Sequence, residues 1–293
     1  MKQTSTQNQN ANIVGSLWMI VAMACFAIED VFVKAAAEFL PVGQLLIFFG
    51  LGGAAVFAIA ARATGTYLLN PDVLSRPMRI RVVFEVLGRL FYALAIALTP
   101  LSSATVILQA TPIVVVASAA FFFGEQVGIR RWMAICVGLL GVLIILQPGS
   151  DSFTPLSILA VLGMLGFAGR DLASRAAPMS LGTAVLGFYG FLAVVAAGIL
   201  YWFYEGMVLA PITVRAALYL VGASLVGAAA YAGLMKAMRT GEVSAVTPFR
   251  YTRLLFGVAC GLFIFGETLS PNMIIGSLLI VVSGLIILWR SRR

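Results

Sequence analysis

Eight ionisable side chains lie inside long apolar stretches of this sequence, and these residues have the clearest capacity for chemistry. Four are acidic and four are basic: Glu29, Asp30, Glu85, Asp171, Arg89, Arg170, Arg250 and Arg253. A charge at the centre of a bilayer costs at least about 2.5–3.5 kcal/mol, so each must face a partner, a cavity or water. The balance of signs favours internal pairing for several of them. The others are candidates for binding a charged solute.

Four polar residues of one apolar stretch follow a single helical stripe, with spacings of four, four and three: Arg81, Glu85, Arg89 and Tyr92. Arg89 falls near the middle of this stretch, at the depth where membrane carriers bind their substrates. A guanidinium there can hold a carboxylate through two parallel hydrogen bonds. The alternative is an intrahelical pair with Glu85 that makes both charges tolerable.

Two acid–base pairs have the i, i+4 spacing that places both side chains on one helical face. They are Asp30 with Lys34 and Asp171 with Arg175, each near the end of its apolar stretch. We interpret them as ion pairs that help to close a gate. The alternative is that Asp30 or Asp171 is a protonatable coupling site, because burial without a partner changes the proton affinity of a carboxylate.

Two prolines interrupt apolar stretches next to polar side chains: Pro112 and Pro248. Proline removes a backbone donor and bends a helix, so the polar groups at the bend can form both a binding surface and a hinge. A bend without ligand contact is the alternative. The polar candidates for substrate contact around the two bends are Gln109, Arg250, Tyr251 and Arg253.

Four aromatic residues occupy related positions in the two halves of the chain. Phe26 corresponds to Phe167, and Tyr92 corresponds to Tyr231. Aromatic side chains in a lipid environment usually serve packing. If a cavity is present, these four are the residues that we expect to stack on an apolar or aromatic part of a solute.

Ten apolar spans must position these side chains. The chain has 293 residues, of which 61% are hydrophobic and 10% charged, whereas a soluble domain carries roughly a quarter charged residues. We therefore predict an all-α integral membrane protein, since helices satisfy their backbone in lipid and these runs lack the alternation of barrel strands. The predicted spans are 13–34, 42–61, 79–98, 102–122, 130–146, 156–176, 182–204, 214–238, 243–265 and 272–289.

The distribution of Lys and Arg predicts the orientation. Thirteen of these residues fall at one side of the spans, Arg81 among them, and two fall at the other side. The positive-inside rule then places both termini in the cytoplasm, and it explains the net charge of +8 without a nucleic-acid partner. Residues 1–12 are polar and are predicted to be a disordered tail, and residues 290–293 form a basic C-terminal tail.

Several classes of chemistry are excluded by composition. Histidine is absent, which removes histidine proton relays and histidine metal ligation. Cys25, Cys136 and Cys260 are isolated in apolar runs, so we predict neither disulfides nor a metal site. No phosphate-binding motif is present, and we predict no cofactor and no enzymatic activity. A membrane-embedded enzyme or scaffold is the alternative from another functional class.

The chain repeats itself at a nearly constant offset. Met23–Ala36 matches Met164–Ala177 at an offset of 141, and Phe121–Glu125 matches Phe263–Glu267 at 142. We infer two five-helix repeats, at 13–149 and 150–289. Because five is odd, the second repeat enters the membrane from the opposite side, which gives a pseudo-two-fold axis in the membrane plane. Such a pair of inverted repeats around a central cavity is suited to alternating access.

Short motifs at matching places in both halves resemble the drug/metabolite transporter superfamily, and within it the ten-helix exporters of amino acids and related metabolites. They are Gly124-Glu125, Gly266-Glu267, Thr111-Pro112 and the run from Ala245 to Tyr251. The resemblance covers residues 13–289. It implies a secondary transporter of the bacterial inner membrane that exports small zwitterionic metabolites, most of all amino acids, with protons as a candidate coupling ion.

The same resemblance leaves other substrates open, namely nucleotide sugars, drugs or lipid precursors. It implies a cavity lined by spans one, three, four, six, eight and nine. The chain departs from symmetry at one point, because thirteen residues before the closing Glu lies Pro112 in the first half but Leu254 in the second. That difference puts matching helix bends in doubt.

Overall fold

The computed structural model of the protein describes residues 2–98, 107–147, 155–265 and 271–291, and within these ranges every regular element is helical. The first half contains α1 (Lys2–Ala37), α2 (Val42–Ala63), α3 (Arg76–Leu98), α4 (Thr111–Phe123) and α5 (Ile129–Leu146). The second half contains α6 (Ile158–Ala176), α7 (Thr183–Tyr204), α8 (Val214–Thr240), α9 (Val243–Val246), α10 (Thr252–Phe265) and α11 (Pro271–Ser291). Short 3₁₀ segments lie at Pro71–Leu74, Pro155–Ser157 and Thr247–Tyr251.

Most described helices match the predicted spans within a few residues. Helix α1 begins earlier than predicted, at Lys2, and α4 begins later, at Thr111, whereas the fourth span was predicted from residue 102. The ninth span is divided into α9, a 3₁₀ segment and α10, and the tenth is α11. Five of the described helices are long and apolar enough to cross a bilayer by themselves, and shorter apolar helices accompany them. Large apolar side chains cover their outer faces, as with Ile59 at 70% and Leu218 at 66% exposure. The prediction of an all-α membrane protein is confirmed.

The helix pairing reflects the internal repeat. The four most extensive helix contacts join α1 to α8, α3 to α6, α2 to α7, and α5 to α11. Exchanging the two repeats turns the α1–α8 contact into the α6–α3 contact and leaves the other two unchanged. This is the pattern that a pseudo-two-fold axis requires. Each of these interfaces also joins one repeat to the other.

Glycines allow the backbones of opposite repeats to touch. A Cβ atom added to Gly166 of α6 would lie 2.5 Å from the Cα atom of Gly88 of α3. A Cβ added to Gly141 of α5 would lie 2.6 Å from the carbonyl oxygen of Gly276 of α11. Small residues at such crossings are typical of helix packing in membranes, where dispersion contacts replace the hydrophobic effect as the driving force.

The N-terminus differs from the prediction of a disordered tail over residues 1–12. Helix α1 begins at Lys2, and the side chain of Asn12 accepts a hydrogen bond from the backbone N–H of Glu242 at 2.8 Å. Extending an existing helix by one residue is much easier than nucleating one, so a polar sequence can continue α1 outward. The predicted repeat boundary at 149/150 and residues 292–293 lie outside the described residues.

Candidate functional site

A cavity of about 360 Å³ lies between helices of both repeats. Among its walls are nine of the residues singled out from the sequence: Phe26, Asp30, Arg89, Tyr92, Gln109, Pro112, Phe167, Arg250 and Arg253. Apolar side chains such as Met23, Leu45 and Phe49 complete much of the surface. The volume falls within the usual range of small-molecule sites.

Helical periodicity explains how α1 contributes a continuous wall. Met23, Phe26, Asp30, Val33 and Ala37 all line the cavity and are spaced by three or four residues. That spacing keeps side chains on one face of an α-helix. The neighbouring faces of α1 pack against α8 and α10, so the helix is held with this stripe directed inward.

Seven other residues singled out from the sequence are not among the residues that line the cavity: Lys34, Glu85, Asp171, Arg175, Tyr231, Pro248 and Tyr251. Tyr231 is 1% exposed and hydrogen-bonded inside the protein. Tyr251 is fully buried beside α5, where a Cβ added to Gly138 would lie 2.5 Å from its ring. Tyr231 therefore bonds and packs inside the protein, Tyr251 packs there, and neither residue is among those that line the cavity.

A buried polar network lies directly behind the cavity and joins the two repeats. Arg81 of α3 is fully buried and donates to the Ser174 hydroxyl at 2.8 Å and to the carbonyl oxygen of Leu186 at 2.7 Å. It also donates to Tyr231, whose hydroxyl donates to Glu85 at 2.5 Å. Arg81 is thus an interior residue of α3, and counting it with the basic residues at one side of the spans was wrong, because its side chain is directed into the protein.

The network continues through α6 to the ninth span. Arg170 donates to Glu85 at 3.2 Å and to Asp171 at 2.8 Å, and Arg250 donates to the other oxygen of Asp171. Glu85 and Asp171 are both fully buried. Buried charges of opposite sign are tolerable in this setting because each is paired and hydrogen-bonded.

The predicted pairing of Asp171 with Arg175 is wrong. Arg175 donates instead to the carbonyl oxygens of Met238 at 2.9 Å and Gly241 at 2.5 Å, near the end of α8. At the end of a helix the last carbonyl oxygens receive no hydrogen bond from a following backbone N–H, so a guanidinium can donate to them instead. Asp171 faces the interior instead. Its partners there are Arg170, the preceding residue, and Arg250 of the ninth span.

Asp30 and Arg253 form an ion pair at the cavity edge. Arg253 Nη2 lies 2.7 Å from each carboxylate oxygen of Asp30, and its guanidinium stacks 5.2 Å from the ring centre of Phe26. The Asp30 side chain is 55% exposed. This pair joins α1 of the first repeat to α10 of the second at the wetter part of the cavity wall.

Arg89 is the cavity cation with unused hydrogen-bonding capacity. Its Nε atom is 3.8 Å from Glu85, beyond hydrogen-bond distance, and has no hydrogen-bond partner among the described residues. Glu85 instead accepts from Arg170 and Tyr231. The Arg89 guanidinium lies 5.7 Å from the ring centre of Phe167, another wall residue. The intrahelical pair considered for Arg89 and Glu85 is therefore only a weak contact.

Both prolines stand where a helix begins or changes form. Gln109 and Ala110 form a turn, and Pro112 occupies the first turn of α4. Pro248 lies in the 3₁₀ segment that separates α9 from α10. The missing N–H of proline suits a first turn and prevents a continuous α-helix elsewhere. The interruptions leave Gln109 and Arg250 beside the cavity.

One end of the molecule is closed by a cluster of polar groups, which we call the end cluster: Asn12, Glu125, Arg131, Glu242 and Ser244. Glu125 accepts hydrogen bonds from the backbone N–H groups of Val243 at 3.1 Å and Ser244 at 2.8 Å, and Arg131 donates to Glu242. Glu125, the acid of the Gly124-Glu125 motif, thus caps the start of α9. Its counterpart Glu267 lies outside the described residues.

The cavity extends toward the opposite end of the molecule. Its walls there include Ala37, Val42 and Tyr201, near the end of α1, the start of α2 and the end of α7. At that end Glu205 accepts hydrogen bonds from the N–H groups of Val42 and Gly43 at 3.2 and 2.7 Å. Hydrogen bonds join the two repeats at both ends, but the cavity walls extend only toward the end at Ala37, Val42 and Tyr201, and none of the end-cluster residues lines the cavity.

Sequence reasoning named Glu29 and Arg170 as charges inside spans but gave neither a role. Both line the cavity. Phe49 also lines it, and nothing in its local sequence distinguishes it from a packing residue. The sequence did contain a signal for Glu29. The first span has two neighbouring carboxylates, Glu29 and Asp30, but only one cation, Lys34, so one carboxylate is left without a cation in its own span.

Sequence comparison now supplies the family. The profile of the EamA-like transporter family matches the chain twice, over residues 13–147 and 155–289. The chain belongs to the EamA-like transporter family. Its two matched ranges correspond to the two helical repeats, and the resemblance to the drug/metabolite transporter superfamily is confirmed.

Named relatives of this family member are transporters of different small molecules. An S-adenosylmethionine uptake transporter of Rickettsia bellii is 29% identical over 207 residues, covering 69% of this chain and 68% of the relative. A pseudopaline exporter of Pseudomonas aeruginosa is 28% identical, covering 92% of this chain and 94% of the relative. A riboflavin transporter of Vibrio cholerae is 26% identical, covering 95% and 94%.

A solved crystal structure has the same fold. It superposes with a TM-score of 0.80 at 20% sequence identity, covering 98% of this chain and all of that one. Its family makes this EamA-like protein a multi-pass small-molecule transporter, which is a class distinct from enzymes.

Proposed function

We propose that this EamA-like protein is a secondary transporter that exports small zwitterionic metabolites, most of all amino acids, by alternating access. The observation that carries the proposal is Arg89, a cation of the cavity wall whose Nε has no hydrogen-bond partner in the described chain. Its nearest carboxylate, Glu85, is 3.8 Å away and is hydrogen-bonded to Arg170 and Tyr231. A guanidinium so placed in a mostly apolar cavity is suited to a substrate carboxylate, which it can bind through two parallel bonds.

The rest of the cavity supports a solute with an apolar or aromatic part. Tyr92 and Phe167 lie in an edge-to-face arrangement with ring centres 5.8 Å apart, next to Arg89. Met23, Phe26 and Leu45 extend the apolar surface. An amino acid whose carboxylate binds Arg89 would therefore direct its own side chain toward the aromatic and aliphatic walls of the cavity. S-adenosylmethionine, the substrate named for one relative, itself carries an amino-acid group.

The arrangement of the repeats supports alternating access. The main helix interfaces join one repeat to the other, so a small rotation of the repeats changes all of them together. The end cluster closes one side while the cavity reaches toward the other. A state with the opposite arrangement is expected because inverted repeats exchange roles across the membrane plane.

The export direction and the bacterial inner membrane rest on the family resemblance, and the cytoplasmic termini rest on the Lys and Arg distribution. Relatives named for uptake and for export both occur. The topology is tested with single cysteines at Tyr67 and Leu209, in the connections after α2 and α7. We expect a membrane-impermeant maleimide added outside intact cells to label the cysteine at 209 and to spare the one at 67. The reverse pattern would overturn the orientation.

Exchange in proteoliposomes tests the substrate class. Purified protein is reconstituted with an unlabelled amino-acid mixture inside, and the entry of labelled phenylalanine, leucine or methionine is measured. We expect saturable exchange by the wild type. In Arg89→Ala the apparent affinity should fall roughly tenfold to hundredfold, because this factor corresponds to the free energy of a charge-assisted hydrogen bond. Arg89→Lys should be intermediate, because lysine keeps the charge but loses the planar fork.

The matched control is Arg62→Ala, which removes an exposed arginine at the end of α2 and should leave exchange unchanged. Saturable exchange of nucleotide sugars, drugs or lipid precursors, with none of amino acids, would overturn the amino-acid proposal. Chemical conversion of a lipid without solute movement would favour the membrane-embedded enzyme.

A second candidate is a heterocyclic metabolite such as a flavin, since the aromatic walls at Tyr92 and Phe167 suit a planar ring and one relative is named a riboflavin transporter. Competition separates the two candidates. Unlabelled riboflavin should leave amino-acid exchange unaffected if the cavity is built for amino acids, and labelled riboflavin should enter in its own right if it is built for flavins.

A further inference from the structure

Glu29 differs from the other acids of the helical interior because it has no ion-pair or hydrogen-bond partner in the described part of the chain. Glu85, Asp171 and Asp30 each form an ion pair with at least one arginine. Glu29 is 5% exposed, and its Oε2 atom is buried without a hydrogen-bond partner among the described residues. It nevertheless borders the cavity. A buried ionised carboxylate without a partner is very unfavourable, and such a group is stabilised by binding a proton.

The surroundings of Glu29 are set by several elements. From α2 and α8 it meets uncharged groups, and a Cβ added to Gly227 would lie 3.2 Å from the Glu29 carboxyl carbon and 2.9 Å from Phe49. Its own helix supplies Asp30, which repels a negative charge on Glu29, and the thiol of Cys25. The cations that act on it are Arg89 of α3 and Arg253 of α10.

Both of these cations have other tasks. Arg253 is engaged by both oxygens of Asp30, and Arg89 is the cavity cation assigned to a substrate carboxylate. When a substrate carboxylate binds Arg89, the positive charge that acts on Glu29 is neutralised. The ionised form of Glu29 then loses support, so binding of substrate favours binding of a proton. Substrate and proton then cross together, and export proceeds when the outward substrate gradient exceeds the opposing proton gradient.

We propose that Glu29 is the proton-carrying group of this transporter, binding one proton from the compartment to which the cavity opens and releasing it to the other after the repeats have rotated. The proton adds to the carboxylate to give a neutral carboxylic acid, and its release restores the carboxylate without any other reactant. The proposal rests on the proposed transport function and names its coupling site.

The position of Glu29 fits this role because it lies at an interface that must change during transport. Its carboxyl group lies beside Gly227 of α8, and α1 and α8 belong to opposite repeats. Any rotation of one repeat against the other alters how water and Arg89 reach Glu29. Asp30 and Asp171, the acids first considered for coupling, each form an ion pair with an arginine.

Gradient-driven transport is compared with exchange in proteoliposomes holding wild type, Glu29→Gln or Glu38→Gln. Exchange of labelled phenylalanine needs no net proton movement, whereas accumulation against a gradient does. We expect wild type and Glu38→Gln, an exposed acidic control just beyond the end of α1, to accumulate phenylalanine under an imposed pH gradient of one polarity. Glu29→Gln should keep exchange and lose accumulation. Accumulation by Glu29→Gln equal to wild type would overturn the proposal.

A substrate-free measurement separates this proposal from the transport function. Infrared difference spectra recorded on acidifying the purified protein should contain a carboxylic-acid carbonyl band that is absent in Glu29→Gln and shifted in Glu29→Asp. If wild type exchanges nothing, the proposed function fails, while the spectra still decide Glu29. If Glu29→Gln does not fold, Glu29→Asp decides the assignment. A carbonyl band and a pH profile identical to those of wild type would overturn it, and a band shifted from that of wild type would support it.

Discussion

Arg253 of the second repeat holds Asp30 of the first through two contacts, with Nη2 at 2.7 Å from both carboxylate oxygens. The pair is formed across the repeat boundary, at the edge of the cavity, and about half of the Asp30 side chain is exposed. An ion pair of this kind can open and re-form as the repeats rotate. It is therefore placed to hold the structure in one of its states.

The first prediction concerns this pair. Asp30→Asn and Arg253→Gln should each lower the exchange rate in proteoliposomes, because either change removes the contact that holds α1 to α10. A charge swap, Asp30→Arg with Arg253→Asp, should recover part of the lost exchange, since the attraction is restored in reverse. A double variant no better than the single ones would argue that each side chain acts separately.

The second prediction concerns the buried network behind the cavity. Tyr231→Phe deprives Glu85 and Arg81 of one hydrogen bond each, and leaving buried groups unsatisfied costs about 1–3 kcal/mol. Asp171→Asn leaves Arg170 and Arg250 with weaker partners and should cost about 3–5 kcal/mol, as for other broken buried pairs. Both should lower the midpoint of thermal unfolding in detergent, the second by more.

Tyr67→Phe is the control for this experiment, because Tyr67 is 85% exposed and its hydroxyl faces solvent. Its unfolding midpoint should equal that of wild type. If Tyr231→Phe melted at the same temperature as Tyr67→Phe, the network would contribute nothing to stability and its role would have to lie elsewhere.

The third prediction concerns the contact between α3 and α6. Gly166→Ala places a Cβ 2.5 Å from the Cα atom of Gly88 and 2.6 Å from its backbone nitrogen, and backbone atoms cannot move aside as a side chain can. We expect a loss of about 1–3 kcal/mol from overpacking, measured as a lower thermal midpoint. Gly182→Ala, where nothing lies within 4 Å of the new Cβ, should melt like wild type.

The fourth prediction concerns the end cluster. Glu242→Gln weakens the contacts of Glu242 with Arg131 and Asn12, which should open this end more often. A cysteine at Val246, fully buried behind the cluster, should then react faster with a water-soluble maleimide in a background without native cysteines. Glu205→Gln, at the opposite end, should not raise the labelling of that cysteine. Equal rates in both variants would contradict the assignment of the cluster as a closure.

The sequence predicted much of the architecture because the decisive signals are local. Long apolar runs gave the spans, and the repeat with its odd number of helices predicted the inverted halves. The cavity residues of α1 were found through Phe26 and Asp30, since an aromatic residue and a charge within an apolar span are visible in a single helix. Arg89 was found for the same reason.

Only the tertiary structure decided which charges neutralise one another and which do not. Spacing of four residues suggested the pair Asp171–Arg175, but the structure joins Asp171 to Arg250 and directs Arg175 to the end of α8. The unpartnered oxygen of Glu29 is likewise invisible in the sequence. Pairing in a low-dielectric interior depends on how each helix is rotated and on which distant cation it meets, and that information exists only after the two repeats have packed together.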